Sequence, residues 1–253
     1  MTGSLPVWKV IGQTYAAVFR DFSGFIGRIW AWMVLTLLTT LVVGYLTIKL
    51  PAIVAHLNLT LLILLPMYAG LAVTCHRAIQ LGEDRKGLRA LRFGYRELKV
   101  CAIGTMLAIG VWAPILLAGG IAATRAGSKN AVLAVIFYAL ALSIAFLYMT
   151  LRLSLAFPLA ATDERRVFDQ SWTMLRGNIL RLFVVMLLTY YPLGILVGKL
   201  LQLLILAEKG KEIINMFIVY GLMILALTLS VCMAASAASV ALSHLRGTPP
   251  ARA

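Results

Sequence analysis

The titratable side chains of this sequence are informative mainly through where they are missing. All nine carboxylates (Asp21, Glu83, Asp84, Glu97, Asp163, Glu164, Asp169, Glu208 and Glu212) fall outside the long apolar runs. Proton-coupled pumps and cation pathways generally use an Asp or Glu inside the membrane, and paired-carboxylate hydrolysis needs two that converge, so both chemistries are disfavoured. The three histidines, His56, His76 and His244, have no HExxH or other metal-ligand spacing. Cys75, Cys101 and Cys232 lie in or at the ends of apolar runs, where each serves as a small apolar residue rather than as part of a disulfide framework. No GxSxG motif and no Ser-Lys pair with a credible base occurs. The expectation is a non-enzymatic protein without metal or cofactor.

The cations carry more of the signal. In Leu88 to Lys99 the apolar residues Leu88, Leu91, Tyr95 and Leu98 recur at helical spacing, and Arg89, Arg92, Arg96 and Lys99 share the opposite face. That pattern predicts a basic amphipathic helix lying on the membrane and contacting anionic phospholipids. Nucleic acid would also attract such charge, but Phe93 and Tyr95 fit better as interfacial anchors, so no nucleic-acid partner is expected. Arg152 is the charge closest to an apolar run. Three roles remain open for it: snorkelling to lipid phosphate, tying the following helix to the bundle through Asp163 or Asp169, or contacting an anion. Lys199 interrupts another run near its end, close enough to snorkel outward.

These residues must be placed by apolar helices. The chain has 253 residues, 62% hydrophobic and 13% charged, with 23 Lys and Arg against 9 Asp and Glu for a formal charge of +14; its mean hydropathy is +0.94. A soluble domain is normally about 45–50% apolar, so the composition is that of a membrane protein. Crossing hydrocarbon takes about 20 apolar residues, and six runs reach that length: Ile29 to Ile48, Leu57 to Cys75, Val100 to Ala123, Ala131 onward, Leu182 to Ala207, and Ile213 to about Ala241. The start, MTGSLPVWKV, has no short apolar core with a small-residue cleavage site, so the first run reads as a span rather than a leader. Sorting Lys and Arg across six spans puts 17 on one side and only Lys49, Arg125, Lys129, Lys199, Lys209 and Lys211 on the other. The positive-inside rule then makes both termini cytoplasmic.

Two further amphipathic stripes precede spans. Trp8, Ile11, Tyr15, Val18 and Phe22 form one, and Val167, Phe168, Ser171, Trp172 and Leu175 the other, stopped by Gly177 and Asn178. The expected fold is an all-α integral membrane protein: six transmembrane helices as three hairpins, each preceded by an amphipathic interfacial helix. It forms a single polytopic domain over 1–253, with internal units 1–78, 79–160 and 161–253. Gln13, Thr14, Tyr15 and Asp21 match Gln170, Ser171, Trp172 and Asn178 at an offset of 157, two periods of about 78. Pro66, Pro114, Pro158 and Pro192 fall in or near four spans, and the small residues from Ser230 to Ser243 permit close helix approach.

Two stretches, YAGLAVTCHRAIQLGE (Tyr68 to Glu83) and LRLSLAFPLAATDERRVFDQSWTMLRGN (Leu151 to Asn178), resemble a bacterial family of six-span inner-membrane proteins grouped with YciC and with the membrane domain of glycerophosphodiester phosphodiesterases. The resemblance rests on Arg152, Pro158, Asp163, Ser171, Trp172, Arg176 and Gly177. It implies an architecture in the bacterial inner membrane and makes Arg152, Pro158, Trp172, Arg176 and Gly177 candidate structural or anion contacts; the phosphodiesterase catalytic domain has no counterpart here. The functional expectation is a multi-pass protein that contacts anionic lipids and organises or assists membrane components, with other membrane proteins or a second copy as further partners. The alternative is a channel or carrier for a small or amphiphilic solute without carboxylate-based proton coupling.

Overall fold

A computed structural model describes residues 4–49, 59–124, 129–209 and 213–248. Every regular element among them is helical: α1 (Val7–Phe19), α2 (Phe22–Lys49), α3 (Leu59–Leu81), a short 3-10 turn (Gly87–Ala90), α4 (Tyr95–Thr124), α5 (Lys129–Leu153), α6 (Ala156–Ala161), α7 (Val167–Met174), α8 (Ile179–Lys209) and α9 (Ile213–Arg246). Among the described residues, the six apolar runs each fall on one of the long helices α2, α3, α4, α5, α8 and α9; the first two residues of the Leu57 to Cys75 run lie outside the described residues. Four described segments are long and apolar enough to cross a membrane: Phe22–Val42, Leu133–Ala161, Ile179–Leu200 and Gly221–Arg246.

Short elements feed the long ones at one end of the bundle. Asp21 precedes α2, and its Oδ1 accepts the Gly24 N–H at 3.0 Å, satisfying a donor the first turn would otherwise leave open. Gly94 precedes α4, where the Glu97 carboxylate reaches back to the Gly94 N–H at 2.9 Å. Asn178 precedes α8, and its Oδ1 accepts from the Leu5 N–H at 2.9 Å, pinning the start of the chain to the last pair of long helices. Helix α1 accordingly lies against α8 and α9. It buries Val10, Thr14 and Val18, leaving Trp8 on the outside.

The amphipathic expectations divide. Helices form over most of the other two stripes: α1 carries Trp8, Ile11, Tyr15 and Val18 but buries Val10, Thr14 and Val18, with Phe22 already in α2, and α7 carries Val167 to Trp172 and buries Val167 and Ser171, with Leu175 just past its end. Gly177, at φ +82°, ends that segment in a backbone region that costs a Cβ-bearing residue about 1–2 kcal/mol. The predicted Leu88–Lys99 helix is a correction. Arg89 sits in the 3-10 turn, Arg92 lies in irregular chain, and Arg96 and Lys99 belong to the first turns of α4. The reason is local: Gly87 (φ +63°) and Gly94 punctuate the segment, and Glu97 supplies a helix start at residue 95. The four cations therefore do not share one helix face.

The core is densest at this same end. Short α6 is its hub, packing against α3, α4, α7 and α9, with Ala156, Pro158, Leu159, Ala160 and Ala161 all buried. Pro158 is the third residue of α6, where the helix has no intrahelical acceptor for its N–H, so its missing donor costs nothing. A second cluster gathers Phe25, Ile29 and Trp32 of α2, Leu71 and Cys75 of α3, and Cys232, Met233 and Ala235 of α9. Trp32 donates from Nε1 to Thr74 Oγ1 at 3.1 Å, and the edge of its ring closes on Gly70, where an added Cβ would collide with it. Helix α5 is different. None of its apolar window is buried within the chain, and Ile136, Phe137, Tyr138 and Ile144 are all exposed. A helix apolar on every side and barely covered by its own chain is suited to hydrocarbon, not water.

Candidate functional site

The basic end contains a charge network centred on the turn between α6 and α7. Four cations from three helices converge there. Arg77 of α3 donates from Nη1 to the Ala161 carbonyl at 2.9 Å and lies 3.7 Å from Asp163. Arg96 of α4 grips both Asp163 oxygens from Nε at 2.7 Å and adds an Nη2 contact at 2.6 Å. Lys99, one turn on, donates to the Glu164 carbonyl at 3.0 Å, and Arg246 of α9 pairs with the Glu164 carboxylate at 2.9 Å. Asp163 and Arg166 both have positive φ, at 64° and 55°. Asp tolerates that region better than most residues, so the sequence can form the tight turn and present its carboxylate at once.

Electrostatics follow from this geometry. The hydrogen bond from Arg96 holds the Asp163 carboxyl below the usual carboxylate range, with the Arg96, Arg77 and Lys99 charges assisting and partial desolvation opposing. Asp163 in turn raises Arg96. Arg77 also binds Glu83, which depresses that carboxyl through the hydrogen bond first and the nearby charges second. Glu83 and Asp84 then draw in Arg85 at 3.3 Å, Lys86 at 3.2 Å and the almost buried Arg28 at 3.3 Å. Every one of these acids is engaged with cations of the same end.

Arg152 serves as a clasp rather than as a free charge. Its guanidinium stacks 4.5 Å from the Trp172 ring centroid and 5.6 Å from that of Tyr148, while Nη1 donates to the Trp172 carbonyl at 2.7 Å and Nε to Tyr148 Oη at 3.2 Å. Ser171 Oγ returns a bond to the Arg152 carbonyl at 2.7 Å. Arg152 thus ties α7 to α5, through a carbonyl and two aromatic faces instead of Asp163 or Asp169. Pro158 is inside the hub, Gly177 ends the α7 segment, and Arg176 is exposed beside it.

The predicted lipid-contact cations consequently part company. Arg96 and Lys99 are spent on the Asp163–Glu164 turn. Arg89 and Arg92 are exposed and form no ion pair among the described residues. Arg89 lines an open surface groove of about 640 Å³ with Asp84, Arg85, Lys86 and Leu88. Leu88, Phe93, Tyr95 and Leu98 of the same segment are all well exposed.

Polar residues to which the sequence assigned no partner complete the end. His76 is buried with Nδ1 2.7 Å from Ser239 Oγ, and Gln80 Nε2 donates to the Ser239 carbonyl at 2.5 Å and to Ser243 Oγ at 3.1 Å. His244 Nε2 meets Gln13 Oε1 at 2.7 Å, joining α9 to α1. A signal was available: His76 and Gln80 recur at i and i+4 on the end of an apolar helix, and polar side chains there need polar partners.

Among the described residues no three His, Cys, Asp or Glu converge as metal ligands. An all-helical chain with four apolar helices of spanning length and a polar, basic end has the build of a helical membrane protein. No protein-family model, curated protein or solved structure matches it.

Proposed function

We propose that this is a non-enzymatic, six-span protein of the bacterial cytoplasmic membrane, both termini inside, that holds anionic phospholipid at its basic end and organises or assists membrane components. The resemblance noted in Tyr68–Glu83 and Leu151–Asn178 sets the architecture. The observation that carries the lipid reading is the split among the cations. With Arg96 paired to Asp163 and Lys99 held by the Glu164 carbonyl, Arg89 and Arg92 remain exposed without ion-pair partners among the described residues, beside apolar side chains that reach outward: Leu88 at 71% exposure and Tyr95 at 77%. Cations and aromatic side chains exposed together on one short segment suit the headgroup region.

Each basic residue near an anionic leaflet contributes about 1 kcal/mol, so Arg89 and Arg92 together give about 2 kcal/mol. The test is lipid preference in nanodiscs of mixed phosphatidylglycerol and phosphatidylcholine, read as the lipid retained on mild extraction. Arg89→Gln with Arg92→Gln should lower the preference for phosphatidylglycerol by roughly tenfold or more, whereas Arg96→Gln with Lys99→Gln should lower stability and leave the preference alone. The reverse pattern in folded protein would overturn the reading. A carrier for an amphiphilic solute is the second reading, favoured by the apolar cavity described next; uptake of a labelled amphiphile into proteoliposomes, absent from empty liposomes, would support it.

A further inference from the structure

The long helices leave a half-open cavity of about 380 Å³ between α3, α4, α5, α6, α8 and α9. It exists because two helix pairs hardly meet: among the described residues α5 touches α8 lightly, and α4 packs instead on α3, α5 and α6. Small side chains widen the gap, with Ala72 on α3, Gly104 on α4 and Ala234 on α9 in its wall. The lining is overwhelmingly apolar. Thr150 and Ser154 also border it, but their hydroxyls bond back to the Phe146 and Leu151 carbonyls of α5.

The volume lies within the roughly 300–1,000 Å³ of ligand sites. Its wall on α3 runs from Leu65 to His76, a helical rise of about 16 Å, and one leaflet of a roughly 30 Å hydrocarbon core is about 15 Å deep. Water is a poor occupant because a buried water needs two to four polar partners. An unfilled void would forfeit the contacts its walls otherwise make. Two phenols, Tyr68 on α3 and Tyr190 on α8, reach the cavity, and neither hydroxyl has a hydrogen-bond partner among the described residues.

We infer that this cavity is a binding site for one acyl chain of a membrane phospholipid, lying along the bundle axis at the basic half. The inference rests on the cavity and not on the exposed arginines, so it stands or falls apart from the headgroup reading.

The probe is a phosphatidylcholine carrying a photoactivatable diazirine within one chain, incorporated in nanodiscs with the full protein, with adducts mapped by mass spectrometry. Wild type should show adducts on cavity-wall residues such as Tyr68, Cys101 and Tyr190, besides annular adducts on outward Phe137 and Ile144. Ala72→Leu with Ala234→Leu should cut the cavity adducts at least tenfold and spare the annular ones. Gly104→Leu fills the site from the opposite wall, where an added Cβ meets only Phe157 at 3.8 Å; it should do the same, and serves if the double variant does not fold. Arg89→Gln with Arg92→Gln should leave the cavity adducts in place, which separates this site from the surface one. Adducts confined to Phe137 and Ile144 in wild type, or cavity adducts unchanged in both filled variants, would overturn the inference.

Discussion

Asp163 is the residue on which the basic end turns, and its two roles can be separated by substitution. Its carboxylate receives Arg96 through three contacts of 2.6–2.7 Å, and its backbone sits at φ +64°. Asp163→Asn keeps a residue tolerant of that backbone and removes the charge. The pair is partly exposed, with 37% of the Arg96 side chain and 49% of the Asp163 side chain accessible, so screening limits the loss to about 1 kcal/mol. Asp163→Ala removes the charge and also puts a Cβ with no compensating polar group into the left-handed region, adding about 1 kcal/mol or slightly more. At roughly 2–4 °C per kcal/mol for chains of this size, thermal unfolding in detergent should drop by about 3 °C for Asn and about 6 °C for Ala. Combining Arg96→Gln with Asp163→Asn should cost less than the two separate losses together, because the second change finds the bond already gone. Equal losses for Asn and Ala would show that the turn does not hold the strained backbone. Strict additivity of Arg96→Gln and Asp163→Asn would show that the ion pair contributes nothing.

Three other outcomes follow from the packing and the charges. Arg152→Lys should cost about 1 kcal/mol in detergent unfolding, because an ammonium cannot stack flat on Trp172 while donating to both its carbonyl and Tyr148; Arg152→Ala should cost no less. Gly70→Ala should cost about 1–3 kcal/mol, since the new methyl must displace the buried Trp32 ring, and Trp32→Phe in the same chain should recover part of it. Asp163 and Glu83 both have depressed carboxyl groups, so their contribution to stability is present above the ordinary carboxylate range near pH 4 and is lost as pH falls through the lowered values. A melting-temperature profile from pH 7 to pH 3 should fall at its acid end, and the fall should be shallower in Asp163→Asn.

What the sequence determined on its own was the helical, apolar character and the asymmetry of charge. An apolar run of 20 or more residues reports its solvent directly, because hydrocarbon leaves a helix no partner for its backbone except itself, and all six runs lie on long helices. Local stop signals were equally legible: Gly177 ends the α7 segment because only a residue without Cβ sits easily at φ +82°. Tertiary structure decided how the cations are used. Helical spacing placed Arg89, Arg92, Arg96 and Lys99 on one face, but that spacing is blind to a glycine break, a Glu97 cap and a partner 67 residues away in Asp163. It likewise could not show that His76 and Gln80 meet Ser239, or that α4 and α5 stand off from α8 and α9 to leave a cavity. Periodicity records which side of a helix avoids water; which charge neutralises which, and where packing leaves room, depend on residues far apart in the chain that only the assembled bundle brings together.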